Sequence, residues 1–180
     1  MPSTTFNQCL RIGLAAAALF ASATPATAEA PEDQVITEAV SNLCLGVRGV
    51  DQHKPGTGVE IYWCNPGSGD RGLDNHWTFA PTGNGFHVLQ NRVSSLCLGV
   101  RGVDKHGAGT EAEVYHCKPD GADKGLDNLW RIVPDKNGFK RIENRVSGLC
   151  LSVRGDKREP GATVEVAACG PNGLWRFQGP

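Results

Sequence analysis

Two short segments of the chain place an aromatic ring close to carboxylate and amide groups. Glu60 and Tyr62 stand in the first segment, and Asp74 and Asn75 stand in the second. The same types return 53 positions later, as Glu113, Tyr115, Asp127 and Asn128. A flat ring can cover the apolar face of a pyranose, and a planar carboxylate or amide can bind two neighbouring hydroxyl groups. These residue types could therefore bind a polar ligand in two equivalent places, provided that the fold brings the segments together.

The same residues also have plainer explanations. Glu60 can form an ion pair with Arg48, and such a pair contributes little when it is exposed. The equivalent pairs are Glu113 with Arg101 and Glu165 with Arg154. The Asp-Asn pairs can cap the turn before the next strand instead of contacting a ligand.

These segments belong to a repeat that extends along most of the chain. Residues 43–49 (LCLGVRG) occur again as residues 96–102 and, with one change, as residues 149–155, at intervals of 53. A fixed period predicts one supersecondary unit copied three times. Each copy is too short to bury a core of its own. We place the units at residues 36–88, 89–141 and 142–180, all within one domain.

Strands are the only regular elements that the pattern predicts. Apolar residues alternate with period two, so that Val59, Ile61 and Trp63 share one face of a strand. Turn residues such as Pro55 and Gly56 separate the segments. We expect an all-β fold of about twelve strands in three units with pseudo-threefold symmetry, which can close into a barrel. The three tryptophans that close the units should pack in its core: Trp77, Trp130 and Trp175.

The N-terminus reads as a secretory signal over residues 1–28, followed by a short lead over residues 29–35. Arg11 precedes a short apolar run, and residues 26–28 (ATA) have the small-x-small form of a cleavage site. The run is far shorter than the ~20 residues needed to span a bilayer, so no transmembrane segment is expected. The protein should be secreted, to the extracellular space or a periplasm.

Signal cleavage also makes the cysteine count even. Cys9 leaves with the signal and six cysteines remain, with matched spacing in the three units. Equivalent units should pair equivalently, and export favours disulfides. The predicted bridges are Cys44–Cys64, Cys97–Cys117 and Cys150–Cys169. A zinc site is disfavoured because no Cys-x-x-Cys is present, and we expect neither a metal nor a cofactor.

Charge and motifs argue against several classes of function. Loss of the signal leaves 17 basic and 19 acidic residues, a formal charge of −2, which disfavours nucleic acid or an anionic membrane as the main partner. A catalytic site is normally unique, whereas the acids here recur in each unit. No nucleophile elbow or zinc-protease motif occurs. We therefore expect no catalytic residues.

The repeated pattern of residues resembles that of the ricin B-type lectins. The resemblance rests on Cys-Leu-x-Val-x-Gly, on the strand that ends in the second cysteine, and on the closing tryptophan, in all three units. It implies a β-trefoil, with a six-stranded barrel capped by three hairpins and one possible sugar site per unit. In the family, an anchoring Asp follows the first cysteine by two positions. Gly46 and Gly99 stand there in the first two units.

The other site positions that the resemblance implies also depart from the family. In the first two units they hold Glu60, Tyr62, Asp74 and Asn75, and then Glu113, Tyr115, Asp127 and Asn128. Glu replaces Gln, and Asp-Asn replaces Asn-Gln. The third unit holds Ser152, Glu165, Ala167, Asn172 and Gly173. That unit lacks the ring and the amide, so we expect it to be structural.

Two functions follow from these expectations. The first is a secreted carbohydrate-binding protein that binds glycans or glycoconjugates weakly and multivalently, without catalysis. The second is a protein-interaction or cell-binding subunit of a secreted toxin or complex, in which sugar binding is reduced or lost. Ricin-like trefoils serve as cell-binding partners in cytolethal distending toxins, and loss of the anchoring Asp would suit that use.

Overall fold

The computed structural model of the protein describes residues 32–49, 54–64, 74–102, 107–117 and 126–179. The expected signal peptide lies outside the described residues. Within them the chain forms twelve strands and short 3-10 turns, so the all-β prediction is confirmed. The strands are β1 Glu32–Glu38, β2 Cys44–Val47, β3 Thr57–Tyr62, β4 His76–Gly83, β5 Phe86–Asn91, β6 Cys97–Val100, β7 Thr110–Tyr115, β8 Leu129–Pro134, β9 Lys140–Asn144, β10 Cys150–Val153, β11 Ala162–Ala167 and β12 Trp175–Gln178.

Six of the strands close an antiparallel barrel. β1 pairs with β4, and the ring continues through β5, β8, β9 and β12 back to β1. The other six form the hairpins β2–β3, β6–β7 and β10–β11. These hairpins meet where β3, β7 and β11 pair with one another. The architecture is the predicted β-trefoil, a barrel closed at one end by a cap of three hairpins.

The core confirms the role expected for the closing tryptophans. Trp77, Trp130 and Trp175 are fully buried. Each indole Nε1 donates a 2.9 Å hydrogen bond to a carbonyl oxygen of the hairpin in its own unit. The acceptors are Leu45, Leu98 and Leu151. A buried indole N–H needs such a partner, so each tryptophan fastens a hairpin to the barrel.

Three details differ from the sequence-based expectations. Residues 32–35 are part of β1 and not a loose lead, because they pair with β4 and β12. The unit boundaries drawn at 88/89 and 141/142 fall inside β5 and β9, so the structural units begin near Phe86 and Lys140. Trp63 does not share the core face of Val59 and Ile61. It lies beyond the end of β3 and is 62% exposed.

Each unit contains the disulfide that the repeat predicts. Cys44 is bonded to Cys64, Cys97 to Cys117, and Cys150 to Cys169. The first cysteine of each pair is fully buried at the start of a hairpin strand. Each bridge closes about 20 residues, which the chain-entropy model values at roughly 3 kcal/mol. None of the described residues forms a helix long and apolar enough to cross a membrane.

Candidate functional site

The hairpins bring the predicted site residues of each unit together. In the first unit Gly46 lies opposite Glu60 in the β2–β3 ladder, and Cys44 lies opposite Tyr62. The second and third units keep this register, with the pairs Gly99–Glu113, Cys97–Tyr115, Ser152–Glu165 and Cys150–Ala167. The Asp-Asn segment of the first unit packs against the same ladder, because Asn75 contacts Gly46.

The space beside Gly46 is filled by the chain itself. A Cβ atom built on Gly46 would stand closer than 3.0 Å to Oδ1 of Asn75, a distance that real Cβ atoms essentially never show. Asn75 is buried, and its Nδ2 donates to the carbonyl oxygen of Trp63 at 3.3 Å. The side chain of Asn75 therefore occupies the space into which a side chain at position 46 would extend.

The second unit has the same arrangement. Asn128 is buried and fills the space beside Gly99, and its Nδ2 donates to the carbonyl oxygen of His116 at 3.0 Å. Both asparagines, expected among the sugar ligands, lie inside the protein. Their amides hold the loop before the closing strand against the end of the hairpin.

The third unit reverses the two sizes. Ser152 takes the position of Gly46, and Gly173 takes that of Asn75. A Cβ on Gly173 would lie 2.8 Å from Oγ of Ser152, so the larger residue now comes from the hairpin. The same contact is thus made from opposite sides in different units, which shows that a close fit is maintained at this point.

The glutamates of the site form the ion pairs that were the plainer explanation. Glu60 accepts from Nε of Arg48 at 3.2 Å, and the glutamate side chain is 13% exposed. The other two pairs are Glu113 with Arg101 at 2.9 Å and Glu165 with Arg154 at 2.5 Å. The three arginine side chains are 41–44% exposed, so solvent screens the attraction.

The tyrosines remain open to solvent. Tyr62 is 49% exposed and Tyr115 is 46% exposed, each at the end of its hairpin strand and two positions before a disulfide cysteine. The Tyr115 ring contacts His116 edge-on, with ring centroids 5.1 Å apart. Trp63 adds a second exposed ring directly after Tyr62. An exposed phenol face can stack on the apolar side of a sugar ring while its hydroxyl keeps a polar contact.

The aspartates stand on the loop before each closing strand, and the following unit holds this loop in place. Oδ2 of Asp127 lies 4.0 Å from the position that a Cβ on Gly99 would occupy. The carbonyl oxygens of Asp74 and Asp127 accept 2.7 Å hydrogen bonds from buried asparagines of β5 and β9. The donors are Asn91 and Asn144. A carboxylate thus stands near the missing anchor, supplied from the loop.

In the third unit the loop before the closing strand is contacted by Arg158, a residue of the same unit. Nη2 of Arg158 donates to Oδ1 of Asn172 at 2.9 Å, and Nη1 of the same guanidinium pairs with Glu38. Asn172 also donates to Asp156. Since Ala167 offers no ring, this unit presents no platform beside the cluster.

Glu38 is buried at the junction between the first and third units. Its carboxylate accepts from the backbone N–H groups of Val40 and Ser41 and from the Ser41 hydroxyl, besides Arg158. Burial pushes the pKa of Glu38 up, but the hydrogen bonds from Ser41, Arg158 and Val40 together outweigh burial and hold the pKa below its ordinary value.

One group of possible metal ligands occurs among the described residues, Glu143 with Cys150 and Cys169. The two sulfur atoms are joined in a disulfide, so neither is available as a thiolate.

Sequence reasoning missed Glu38 and Arg158. A signal for Glu38 was present, because the positions 53 and 106 residues later are both asparagine, Asn91 and Asn144. Arg158 gave no comparable signal, since nothing in its spacing points to Glu38.

Comparison with known proteins agrees with the fold. The family model of ricin-type beta-trefoil lectin domain-like proteins matches residues 25–115 and 74–167. The chain matches no curated protein.

Three solved structures share the fold. ThreeFoil, a designed threefold-symmetric protein, has a TM-score of 0.71 and 23% identity over 81% of this chain and 96% of that chain. The exo-β-1,3-galactanase 1,3Gal43A from Clostridium thermocellum has a TM-score of 0.72 and 18% identity over 83% of this chain, which spans only 30% of the galactanase. A chain of the Haemophilus ducreyi cytolethal distending toxin has a TM-score of 0.63 and 17% identity over 83% of this chain and 84% of that chain.

Proposed function

This chain belongs to the ricin-type β-trefoil lectin domain-like family, and we propose that it is a secreted carbohydrate-binding protein without catalytic activity. The observation that carries the proposal is the pair of half-exposed tyrosines, Tyr62 and Tyr115, at equivalent strand ends. The three disulfides, which persist in oxidising compartments, support secretion.

In the proposed site each residue type has a separate task. Tyr62 or Tyr115 stacks on the sugar ring, and the carboxylate of Asp74 or Asp127 binds hydroxyl groups at its edge. Asn75 and Asn128 position the loop from inside, while Glu60 and Glu113 stay with their arginines. Because the anchoring Asp is replaced by Gly46 and Gly99, the ligand geometry should differ from that of the ricin-like pattern.

Binding at each site should be weak, because the surface is shallow and its hydrogen bonds are exposed to water. A ring contact and a few such bonds each contribute about 1 kcal/mol. Useful affinity would come from two sites that engage one multivalent glycan surface, which raises avidity without any new contact.

A glycan array followed by calorimetry tests the proposal. Tyr62→Ala and Tyr115→Ala should each lower affinity for the best glycan about fivefold at the altered site, on the order of 1 kcal/mol. The double variant should lose binding. All three variants should keep the wild-type melting temperature, because the two tyrosine side chains are at the surface.

The matched control is Ala167→Tyr, the equivalent position in the third unit, which should leave binding at least as strong as in the unaltered protein. Unchanged glycan binding by the double tyrosine variant would place the sites elsewhere and contradict the proposal.

A second candidate is a protein-interaction or cell-binding subunit of a secreted toxin or complex. It is favoured by the filled space beside Gly46 and Gly99, where the buried amides of Asn75 and Asn128 leave no room for an anchor. The similarity to a chain of a cytolethal distending toxin is consistent with it. Failure of the unaltered protein to bind any glycan on the array would favour this candidate.

A further inference from the structure

The barrel carries an uneven distribution of charge that the repeat does not explain. Nine arginines lie in the described part of the chain, and six of them pair with acids: Arg48, Arg92, Arg101, Arg141, Arg154 and Arg158. The other three, Arg131, Arg145 and Arg176, form no salt bridge with any described residue. All three are exposed.

The three unpaired arginines lie against phenylalanine rings. The guanidinium carbons of Arg131 and Arg145 lie 4.7 and 5.1 Å from the centroid of Phe86. Arg176 lies 4.9 Å from the centroid of Phe139. Cation–π contact holds such a group in place without neutralising it, so each guanidinium keeps its charge for a partner.

We call the surface that these three arginines form the basic wall, and it consists of Arg131, Arg145 and Arg176. Lys140 stands on the other face of β9, because it lies opposite the buried Trp175 in the β9–β12 ladder and 4.7 Å from the centroid of Phe177.

Among the described residues, the two acids that lie between the start of β8 and the end of β9 do not neutralise the basic wall. Asp135 pairs with Arg141, outside the set. Glu143 lies opposite Arg131 in the β8–β9 ladder but forms no ion pair with it, and its carboxylate lies beside the sulfur atoms of the Cys150–Cys169 bridge. Among the described residues, three arginines without a salt bridge and one acid, Glu143, therefore stand here on a protein whose formal charge is −1 over the whole sequence.

Comparison of equivalent positions shows that the wall is a departure from the symmetric pattern. Phe86 and Phe139 correspond to Asp33 at spacings of 53. Asp33 pairs with Arg92, the counterpart of Arg145. At the junction of β1 and β4, an acid thus neutralises the arginine. At the other two junctions a ring replaces that acid.

The position after each closing tryptophan changes in the same direction. It is Thr78 in the first unit, and Arg131 and Arg176 in the second and third. At two of the three equivalent junctions a ring therefore stands where the first has an acid, and an arginine stands where the first has a threonine. Core packing does not require the two arginines, because their side chains are exposed.

We propose that the basic wall is a second binding surface, for an anionic polysaccharide that carries sulfate or carboxylate groups. Arg131 on β8 and Arg176 on β12 are separated by β9, which puts them about 10 Å apart across the strands. The ladder partners of these arginines on β9 are four residues apart, a further offset of about 13 Å along the strand. One small anion cannot contact both, whereas a polymer with repeated anionic groups can.

A polysaccharide fits this surface better than a nucleic acid. The rings of Phe86 and Phe139 already carry cations, so they offer no free face for stacking bases. The basic wall lies on the barrel strands and not on the hairpin ends that carry Tyr62 and Tyr115. Ligand binding at the basic wall therefore does not depend on the sugar binding proposed above.

Heparin is the probe for the test, with dextran as the uncharged comparison. The mature protein should bind immobilised heparin and elute with salt, and should ignore dextran. The variant Arg131→Gln/Arg176→Gln should bind heparin about tenfold more weakly, because it removes two of the exposed charges that act together on the polymer. Alginate, which carries only carboxylates, tells whether sulfate is needed.

The matched control removes the same charge from the hairpin cap. Lys54→Gln/Lys157→Gln alters two exposed lysines of that cap and should leave heparin binding close to that of the unaltered protein. The Tyr62→Ala/Tyr115→Ala variant should also keep heparin binding, which separates this surface from the tyrosine sites. Melting temperatures should stay unchanged in all of them.

Several results would overturn the proposal. They are no retention on heparin at physiological salt, equal loss in the wall and cap variants, or tighter binding of single-stranded DNA than of heparin. Binding to phosphatidylserine vesicles that heparin does not displace would also assign the surface to a different partner.

Discussion

At the scale of single residues, the most informative contact is the one between Gly46 and Asn75. Only one side chain fits between the two positions: Asn75 fills the space in the first unit, and Ser152 fills it opposite Gly173 in the third. Adding an Asp at Gly46 would therefore collide with Asn75 before it could contact a sugar. Position 46 can therefore carry no larger side chain while Asn75 fills the space beside it.

The exchange seen in the third unit can be reproduced in the first. Gly46→Ser alone should destabilise the protein by about 1–3 kcal/mol, because the new side chain meets the buried Asn75. Asn75→Gly alone should cost a similar amount by leaving a gap. The stability lost by the double variant should be smaller than the sum of the two single losses by at least about 1 kcal/mol, since the effects of residues in contact are coupled.

Urea unfolding of the four proteins measures this coupling. Gly107→Ser combined with Asn75→Gly is the control, because a Cβ at Gly107 meets open space. Losses that simply add for Gly46→Ser and Asn75→Gly would show that the two residues do not share the space.

Residue types predicted the contacts only where the repeat constrained them. The three Arg-Glu pairs and the burial of the tryptophans follow from positions that recur, so they could be foreseen. The inward turn of Asn75 could not, because an asparagine before a strand can equally well face a ligand. The exposure of Trp63 was missed because alternation ends with the strand at Tyr62.

At the scale of elements, the three hairpins are joined by a polar cluster that is less symmetric than the strands. Arg48 on the β2–β3 hairpin contacts Glu60 of β3, Glu111 of β7 at 3.0 Å and Thr163 of β11 at 2.9 Å. Glu111 also accepts from Arg101 at 2.7 Å. Arg48 is therefore the side chain that links all three hairpins.

Replacement of Arg48 should cost more than replacement of its counterpart in the third unit. Arg154 contacts one acid and the carbonyl oxygen of Gly109. We expect Arg48→Ala to lower the free energy of unfolding by about 2 kcal/mol and Arg154→Ala by about 1 kcal/mol. High salt should reduce the difference, because both side chains are more than 40% exposed. Equal losses in urea unfolding would contradict a linking role.

Element type and order were predictable because turn residues and alternation recur three times. Element ends were less so. Residues 32–35 lack a strongly apolar pattern, yet they form the start of β1 because two neighbouring strands offer backbone partners. Tertiary pairing thus extended a strand that its own sequence did not mark.

At the scale of the whole molecule, two kinds of contact join the three units into a closed ring. Asn91 and Asn144 each bind the carbonyl oxygen of an aspartate in the preceding unit. At the third junction, where the first and last units meet, Glu38 replaces the asparagine and pairs with Arg158. The repeat predicted a closed barrel, but not that its last junction would rest on a buried charge.

That junction should make the molecule sensitive to acid. The pKa of Glu38 is lower in the folded protein than its ordinary value of 4.5, so unfolded chains take up the proton first as the pH falls. The stability that the charged carboxylate contributes is complete above about pH 4.5 and is lost as the pH falls through the lower folded value. Burial also lowers the pKa of His87 below 6.5, although a hydrogen bond from the imidazole to the backbone of Trp130 opposes the shift. The lowered pKa adds a second loss of stability, which begins as the pH falls through about 6.5.

Comparison of the unaltered protein with Glu38→Gln isolates the first effect, since both keep His87. We expect the variant to be less stable at neutral pH by about 3 kcal/mol, because a buried pair is broken and Arg158 loses its partner. The difference should shrink as the pH falls from about 4.5 through the lower folded pKa of Glu38, below which the wild-type carboxyl is also neutral. Glu159→Gln, at an exposed neighbour of Arg158, is the control and should track the unaltered protein. Urea midpoints measured from pH 7 to pH 3 supply the test, and parallel curves for the unaltered protein and Glu38→Gln would show that Glu38 does not govern closure of the ring.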